Sequence, residues 1–418
     1  GKRVFQSLFF IVFFTLIDMI PLLLTLLTLS FTEGTDPDVS LDQIGLVKRW
    51  GYPVEKYDVI TQDGYILDLI RIPRGKNNNR NISRPAILLV HGLLASGSQW
   101  LLNRPDQSGG YILADEGLDV WIANVRGTTY GRRHRNLNPN KDTDFWKYSL
   151  DEMARYDLPA IIDKALMISG QDKLYYIGDS QGTLLSFLLL SDRPRYNNKI
   201  KSLFLFSPIA TGHYIRGIIQ LVISGYSAFW PVTEVYRILM GSQEVLNRNQ
   251  LIIDAATVLC SLPTKEGCYD VLYLFAGPPD FKHLNTSRME MYVSNFPAGT
   301  STRNLLHWGQ ISSRESIARF DYDNPIENTI HYGKPHPPIY NYTEIEVPMY
   351  FYWSRNDWLT TPFDIRKDLI PKLRKGLIKG TFEIPEYNHL DFAIATNTAE
   401  KLYNPVLSII REDMKKNP

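Results

Sequence analysis

A Gly-Asp-Ser-Gln-Gly segment at residues 178–182 stands between two runs of different structural preference. The apolar run Leu174–Ile177 favours a buried strand, and the run Thr183–Leu190 favours a helix. A Gly-x-Ser-x-Gly pattern in this context predicts a nucleophile elbow, a turn whose flanking positions tolerate almost no side chain. The pattern alone is a weak signal, but with its strand and helix it predicts that Ser180 exposes its hydroxyl at a sheet edge.

Strand-like apolar runs alternate with helix-like segments over the first half of the chain. The strand-like runs are Ala86–Val90, Leu118–Ala123, Leu174–Ile177 and Ile200–Phe206, and Leu150–Ser169 is a clear helical segment between them. Continuous apolar runs are typical of strands that are buried on both faces. The alternation therefore predicts an α/β fold with a mostly parallel central sheet and helices on both faces.

The alternation stops near Pro208 and resumes at Val347–Trp353. The intervening residues are too many for a bare loop in a compact domain. They predict a cap or lid domain with its own helices, inserted between two core strands. The predicted organisation is a first part of the core over 40–210, the cap over 211–342 and a second part of the core over 343–415.

Residues 1–32 have the order of a targeting segment. Lys2 and Arg3 precede an almost wholly apolar stretch, and a polar segment follows it. This order is typical of a secretory signal peptide. An uncleaved signal anchor formed by residues 4–31 is the alternative, because the apolar length reaches that of a membrane span. We favour the signal peptide and expect a protein of the secretory pathway, either secreted or lysosomal.

The cysteines and glycosylation patterns are compatible with that route. Cys260 and Cys268 are the two cysteines, and an even count in a secreted chain permits one disulfide. Two free thiols are the alternative. Asn-x-Ser/Thr triplets mark Asn81, Asn285 and Asn341 as glycosylation acceptors by pattern.

The composition narrows the classes of partner. The formal net charge is +1, and no basic cluster interleaves with aromatic residues, so nothing favours nucleic acid as a partner. Aromatic residues make up 12% of the chain, which suits a protein with large apolar contact surfaces. The alternative is that these aromatic side chains form the core of the cap.

The second half of the chain holds the partners that an elbow serine needs. A serine becomes a good nucleophile when a base accepts its proton and an acid orients that base. Asp357 comes after the strand-like run Val347–Trp353, and His389 follows the next such run, Gly380–Ile384. Asp391 competes for the role of acid, but it is close to His389 in sequence and fits better as a partner of local backbone. The order serine, acid, histidine predicts a catalytic triad.

Another strand end supplies candidates for an oxyanion hole. The run Ala86–Val90 leads into His91 and Gly92, which lets the backbone approach a ligand closely. The backbone N–H groups of Leu93 and Gln181 are then expected to point at the substrate oxygen. A plain strand-ending turn is the alternative for the first of these positions.

Several segments together resemble the acid lipase family of α/β-hydrolases, which contains gastric and lysosomal acid lipases. The resemblance runs from about residue 47 to residue 403. The matching segments include Gly51-Tyr52-Pro53, His91-Gly92-Leu93, residues 114–121, residues 151–160, residues 297–301, Leu306-His307-Trp308, residues 356–359 and His389-Leu390-Asp391-Phe392.

The resemblance implies an α/β-hydrolase fold and hydrolysis of neutral lipid esters, such as triacylglycerols or sterol esters. It implies contact with a lipid droplet or micelle surface, and no metal or organic cofactor. The inserted segment corresponds to the family's cap and lid, and Cys260 and Cys268 fall where family members carry a cap disulfide. The residues carried over as triad and oxyanion donors are Ser180, Asp357, His389, Leu93 and Gln181.

The chain departs from the family pattern beside the candidate nucleophile. The family usually has histidine before the serine, whereas this chain has Asp179. A carboxylate on a packed elbow is unfavourable unless it is paired, so we expect Arg126 or another nearby cation to pair it. Its charge is expected to favour protonated His389 and to move the activity profile towards higher pH. The departure also leaves an alternative, a lipid-binding or storage protein that kept the fold and lost the reaction.

Overall fold

The computed structural model describes residues 36–78, 82–217, 219–220, 243–248, 273, 276–278 and 281–416. Some sequence predictions lie outside these ranges, namely the targeting segment over 1–32, the acceptor Asn81 and the cysteines Cys260 and Cys268. Within the described ranges, none of the helices combines the length and apolar character that a bilayer crossing requires.

A mostly parallel sheet forms the centre of the molecule. The strands are β1 (Glu55–Ile60), β2 (Tyr65–Ile72), β3 (Ala86–Val90), β4 (Asp119–Ile122), β5 (Arg133–His134), β6 (Leu174–Asp179), β7 (Ile200–Phe206), β8 (Glu244–Val245), β9 (Thr300–Ser301), β10 (Met349–Trp353) and β11 (Ile378–Glu383). Among the described residues the main sheet has the order β1-β2-β4-β3-β6-β7-β10-β11, with β5 paired to β2. Along the order β4-β3-β6-β7-β10-β11 every neighbouring pair runs parallel. Strand β2 pairs antiparallel with β1, β4 and β5. The predicted sheet is confirmed.

Helices flank this sheet. The α-helices of the described ranges are α1 (Gln43–Arg49), α2 (Gly109–Asp115), α3 (Leu150–Glu152), α4 (Leu158–Ser169), α5 (Gln181–Asp192), α6 (Met289–Asn295), α7 (Thr302–Ser312), α8 (Pro325–Tyr332), α9 (Asp391–Ile394) and α10 (Asn404–Lys416). Short 3-10 turns span Pro37–Ser40, Gly97–Trp100, Thr143–Trp146, Pro194–Lys199, Thr286–Arg288, Tyr342–Glu344 and Ile370–Lys372. Single π-helical turns span Met153–Asp157, Asp364–Leu369 and Ala399–Tyr403. The helix expected over 150–169 is therefore present with a π-helical turn inside it.

The core lies on both faces of the sheet. Along β3, Leu88 and Val90 pack into one apolar cluster, and Ile87 and Leu89 pack into another. Successive side chains of a strand point to opposite faces, so the two clusters are the two sides of the sheet. All five residues of β3 are buried, which explains why the strand reads as a continuous apolar run.

The chain leaves the sheet after β7 and returns to the neighbouring position with β10. The described part of this excursion includes α6, α7 and α8, and β8 pairs with β9. A cap over 211–342 remains a prediction, because much of that range lies outside the described residues. Since β3, β6, β10 and β11 run parallel, their carboxyl ends meet at one edge, where ligands bind in open α/β sheets.

Candidate active site

Ser180 occupies a strained turn between β6 and α5. Its backbone has φ 50° and ψ −114°, a conformation that residues other than glycine rarely adopt. Packing accounts for the glycines on either side: a methyl group on Gly178 would lie 2.7 Å from the carbonyl carbon of Gly182, and one on Gly182 would lie 2.3 Å from Val90 O. Strain of this kind persists only where the surroundings enforce it, and it clusters at functional sites. The turn has the geometry of the predicted elbow.

His389 connects Ser180 to Asp357. Its Nε2 lies 2.9 Å from Ser180 Oγ, and its Nδ1 lies 2.9 Å from Asp357 Oδ2. An ionised carboxylate only accepts hydrogen bonds, so Nδ1–H donates to Asp357 and Nε2 accepts from the serine hydroxyl. This is the tautomer in which the imidazole can take the serine proton. The side chains predicted as nucleophile, base and acid therefore lie in one line of hydrogen bonds.

Asp357 is fully buried and richly hydrogen-bonded. It accepts from the backbone N–H groups of Leu359 and Thr360, both at 2.8 Å, and from Thr360 Oγ1 at 2.5 Å. Burial alone would raise the pKa of Asp357, but the charge and hydrogen bond of His389 and the bonds from Thr360 outweigh it, so this pKa is lowered. The competing Asp391 instead accepts from the backbone N–H of Asn388 at 2.8 Å, as its sequence position suggested.

The pKa of His389 lies above its ordinary value. Burial favours the neutral imidazole, but the charge of Asp357, its hydrogen bond and the charge of Asp179 together outweigh that effect on the pKa. The imidazolium that forms when His389 takes a proton is therefore stabilised by its surroundings, as a general base requires.

The loop after β3 passes directly beside the nucleophile. A methyl group on Gly92, the residue before Leu93, would lie only 3.2 Å from Ser180 Cβ. Leu94 has φ 58°, and its carbonyl accepts from Ala298 N–H at 2.6 Å. Gln181 directly follows Ser180 and is the first residue of α5, where a backbone N–H has no acceptor within the helix. Of the two candidate oxyanion donors, Leu93 thus follows a glycine that packs against Ser180, and Gln181 follows Ser180 itself.

Helix α7 holds the side chain of Gln181, a contact that the sequence did not predict. Asn304 Nδ2 and Trp308 Nε1 each donate to Gln181 Oε1 at 3.0 Å. Trp308 belongs to a segment that resembles the family, but the resemblance does not indicate its contact with Gln181. The side chain of Gln181 is therefore held by a segment between β7 and β10.

Asp179 is buried among neutral donors. Its Oδ1 accepts from Ser207 Oγ at 2.7 Å and its Oδ2 accepts from Gln99 Nε2 at 3.1 Å. Burial raises the pKa of Asp179, although the charge of His389 and these two hydrogen bonds oppose the rise.

The expectation that Arg126 pairs with Asp179 is wrong. Its guanidinium donates to Asp157 Oδ1 at 2.8 Å and to Asp63 Oδ2 at 2.6 Å. These two carboxylates satisfy the buried cation away from the elbow, so it does not neutralise Asp179. The sequence also did not identify Gln99 or Ser207 as partners of Asp179.

A metal centre would need three or more suitable side chains close together. Within the ranges that the structure describes, no such group of histidine, cysteine, aspartate or glutamate is present. Independently of that, the hydrogen-bonded line of Ser180, His389 and Asp357 is an arrangement that can support acyl transfer.

Comparisons with known proteins define the fold class. Residues 44–104 match the family described as "Partial alpha/beta-hydrolase lipase region", and residues 85–231 match the one described as "alpha/beta hydrolase fold". A solved structure of a putative lipase from Sulfolobus solfataricus is similar, with a TM-score of 0.54 and 17% identity, covering 87% of this chain and 99% of that chain. This protein has the α/β-hydrolase fold.

Sequence relatives narrow the class. The lipase lipl-1 of Caenorhabditis elegans is 39% identical over 92% of this chain and 95% of its own length. The gastric triacylglycerol lipase of Homo sapiens is 38% identical over 94% of this chain and 100% of its own length, and that of Bos taurus is 39% identical over 91% and 94%. The chain belongs to the acid lipase family of α/β-hydrolases. It is a lipase, an enzyme that hydrolyses carboxylic esters.

Proposed function

We propose that this lipase cleaves neutral lipid esters, such as triacylglycerols or sterol esters, through an acyl-enzyme on Ser180. The observation that carries the proposal is the line of hydrogen bonds from Ser180 Oγ through His389 to Asp357. The names of the relatives, among them gastric triacylglycerol lipases, support the class of substrate.

In the acylation step, Ser180 Oγ attacks the ester carbonyl carbon while His389 Nε2 takes the hydroxyl proton. Asp357 stabilises the resulting imidazolium through the Nδ1–H hydrogen bond and does not itself become protonated. His389 then gives the proton to the oxygen of the leaving alcohol as the carbon–oxygen bond breaks. The acyl group is left on Ser180, and the alcohol departs.

The tetrahedral intermediate carries a negative charge on the former carbonyl oxygen. The backbone N–H groups of Leu93 and Gln181 are our candidates for its donors. A donor of this kind lowers the barrier by about 3 kcal/mol when it is held in place before the reaction. The hydrogen bonds from Asn304 and Trp308 to the Gln181 side chain support such preorganisation.

Deacylation repeats the sequence with water. His389 Nε2 takes a proton from a water molecule, whose oxygen attacks the acyl carbon. The proton passes back to Ser180 Oγ as its bond to the acyl carbon breaks, which releases the fatty acid and restores the enzyme. These steps need no group beyond the chain and water.

Contact with a lipid droplet or micelle surface is also part of the proposal. Tyr214 and Phe363 lie near the segment that follows Asp357, with ring centroids 5.6 Å apart, and they remain 37% and 50% exposed. Exposed aromatic side chains suit a surface between water and lipid. A cap over residues 211–342 would cover the acyl chains.

We further propose that the protein follows the secretory route, with residues 1–32 as its signal peptide. The proposal includes a disulfide between Cys260 and Cys268. It also includes glycan acceptors at Asn81, Asn285 and Asn341, of which Asn341 is exposed. Mass spectrometry of the protein secreted by a eukaryotic host tests these three features together, through the mature N-terminus, the disulfide and the glycosylated peptides.

A fluorophosphonate probe tests the function. We expect it to label Ser180, and Ser180→Ala to abolish both labelling and hydrolysis of a chromogenic short-chain ester. A panel of triacylglycerols and sterol esters, assayed at acid and neutral pH, identifies the preferred substrate. A rate that rises sharply at the micelle threshold supports a lipid-surface enzyme, and one that does not indicates a soluble esterase. Lipid binding without labelling would instead support a carrier that lost the reaction.

A further inference from the structure

Gln99 bridges the two loops that meet at the candidate nucleophile. Its Oε1 accepts from the backbone N–H of Gly92 at 3.1 Å, and its Nε2 donates to Asp179 Oδ2 at 3.1 Å. Gly92 immediately precedes Leu93, and Asp179 immediately precedes Ser180. One buried carboxamide thus ties the loop after β3 to the turn after β6.

The backbone of Gln99 is itself held in place. It lies in the 3-10 turn Gly97–Trp100, where its N–H donates to Ser96 O at 3.0 Å. At the start of that turn, Gly97 N–H donates to the buried Asn124 Oδ1 at 2.9 Å. These hydrogen bonds fix the backbone of the turn, so the carboxamide of Gln99 has little freedom to move with either loop.

The chemistry of the two contacts requires an amide. Gly92 N–H needs an acceptor, and the carboxylate of Asp179 needs a donor. Ser207 Oγ donates to Oδ1 of Asp179, and Gln99 Nε2 donates to the other carboxylate oxygen, Oδ2. Glutamate at position 99 would bring a second carboxylate against the first, and methionine would offer no hydrogen bond to either partner.

We propose that Gln99 is a positioning residue that, through Gly92 and Asp179, sets the distance between the loop after β3, which carries Leu93, and Ser180. The inference rests on the proposed function, since it concerns the candidate donor Leu93 and the serine. Loss of the bridge lets the donor drift from the developing oxyanion. A small displacement at this point is enough to slow the chemical step.

The test uses an exchange of hydrogen-bond partners. In Gln99→Glu, the new carboxylate repels Asp179, and we expect kcat on a soluble ester to fall by about 10- to 100-fold with KM little changed. In the double variant Gln99→Glu with Asp179→Asn, the new carboxylate accepts from Gly92 N–H and from the amide introduced at position 179, while the oxygen of that amide accepts from Ser207. The bridge is then rebuilt with its charge moved, and we expect kcat within about threefold of that of Asp179→Asn alone.

Methionine provides the matched control. Gln99→Met removes both contacts, and Asp179→Asn added to it removes the buried charge without rebuilding the bridge. We expect kcat to be low both in Gln99→Met and in the double variant Gln99→Met with Asp179→Asn. If kcat recovers in both double variants, only the buried charge mattered, and the inference is overturned. An unchanged kcat in Gln99→Glu overturns it as well. Recovery in neither double variant also overturns it, provided that thermal melting shows folded protein.

The outcome is separable from that of the proposed function. If the parent protein is not labelled at Ser180 by the fluorophosphonate, the serine mechanism itself fails. If the parent is labelled and active while Gln99→Glu and Gln99→Met keep its kcat, the positioning role fails alone. Should Gln99→Glu not fold, the contrast between Gln99→Met and the parent decides, with kcat reduced at unchanged KM as the expected result.

Discussion

Two buried carboxylates act on the imidazole of His389, and they differ in how they are held. Asp357 follows β10 and is 0% exposed, whereas Asp179 ends β6 and is 6% exposed. Asp357 accepts hydrogen bonds from Leu359, Thr360 and His389 itself. Asp179 accepts from the neutral side chains of Ser207 and Gln99, and it acts on His389 only through its charge.

The pKa values of the two groups move in opposite directions. Burial would raise the pKa of both, but only at Asp357 do the histidine charge and the hydrogen bonds outweigh it, so that its pKa falls. At Asp179 burial dominates and the pKa rises. Depth of burial therefore does not decide the direction in which the pKa of a carboxylate moves in this site. Direct donors and contact with the imidazole do.

Asp357→Asn should have the largest effect on activity. The amide can present its NH₂ group to Nδ1 and so favour the wrong tautomer of His389, and kcat should fall by about 10⁴-fold. Steady-state hydrolysis of a soluble ester measures it. Asp391→Asn is the control, because that carboxylate bonds the backbone of Asn388, and a comparable loss there would contradict the assignment of the acid.

Thr360→Val should lower kcat/KM by about tenfold, because a hydrogen bond to a charged group contributes about 1.5 kcal/mol or more. The variant removes the hydroxyl donor to Asp357 Oδ2 and keeps the backbone donors. The neighbouring Thr361→Val is matched in size and burial, but Thr361 Oγ1 donates to Asp364 at 2.7 Å. Equal losses in the two variants would show that packing, and not the donor to Asp357, is responsible.

Asp179→Asn should move the acid limb of the pH profile of kcat/KM to lower pH. The charge of Asp179 raises the pKa of His389, so its removal lowers that pKa and leaves the base neutral in more acidic solution. Asp357 then supplies the charge that still raises the pKa of His389. At the plateau, kcat should stay within about fivefold, since asparagine can satisfy both neighbours. An unmoved acid limb would break the electrostatic link between Asp179 and His389.

The sequence predicts the main chemical groups of the site because each follows a strand. Asp357 and His389 come after strand-like runs, and parallel strands bring their carboxyl ends to one edge. Ser180 is marked by its flanking glycines, whose packing leaves no room for a side chain. These signals are local in the chain, and only the order of the strands is needed to bring them together.

The surroundings of Asp179 could not be predicted in this way. Gln99 lies 80 residues before it and Ser207 lies 28 residues after it, and neither belongs to a pattern that names a partner. Charge alone suggests Arg126 or another nearby cation as the partner of Asp179. The sequence does not rank the carboxylates that compete for one guanidinium, and Asp157 and Asp63 take it in the folded chain.

Ser207→Ala should have the smallest effect and gives the sharpest contrast with Thr360→Val. Ser207 has φ 42°, a conformation that is about equally strained for serine and alanine, so the substitution should not move the backbone. Its hydroxyl donates to Asp179 Oδ1 at 2.7 Å, and without this donor the pKa of Asp179 should rise further. Asp179 then stays neutral over a wider acid range, so the acid limb should shift towards that of Asp179→Asn. The plateau value of kcat should fall by less than about threefold, because Asp179 has no hydrogen bond to the imidazole and a neutral hydrogen bond contributes only about 1 kcal/mol. A tenfold loss at the plateau would place Asp179 beside Asp357 as a direct support of the base, and the distinction between the two carboxylates would fail.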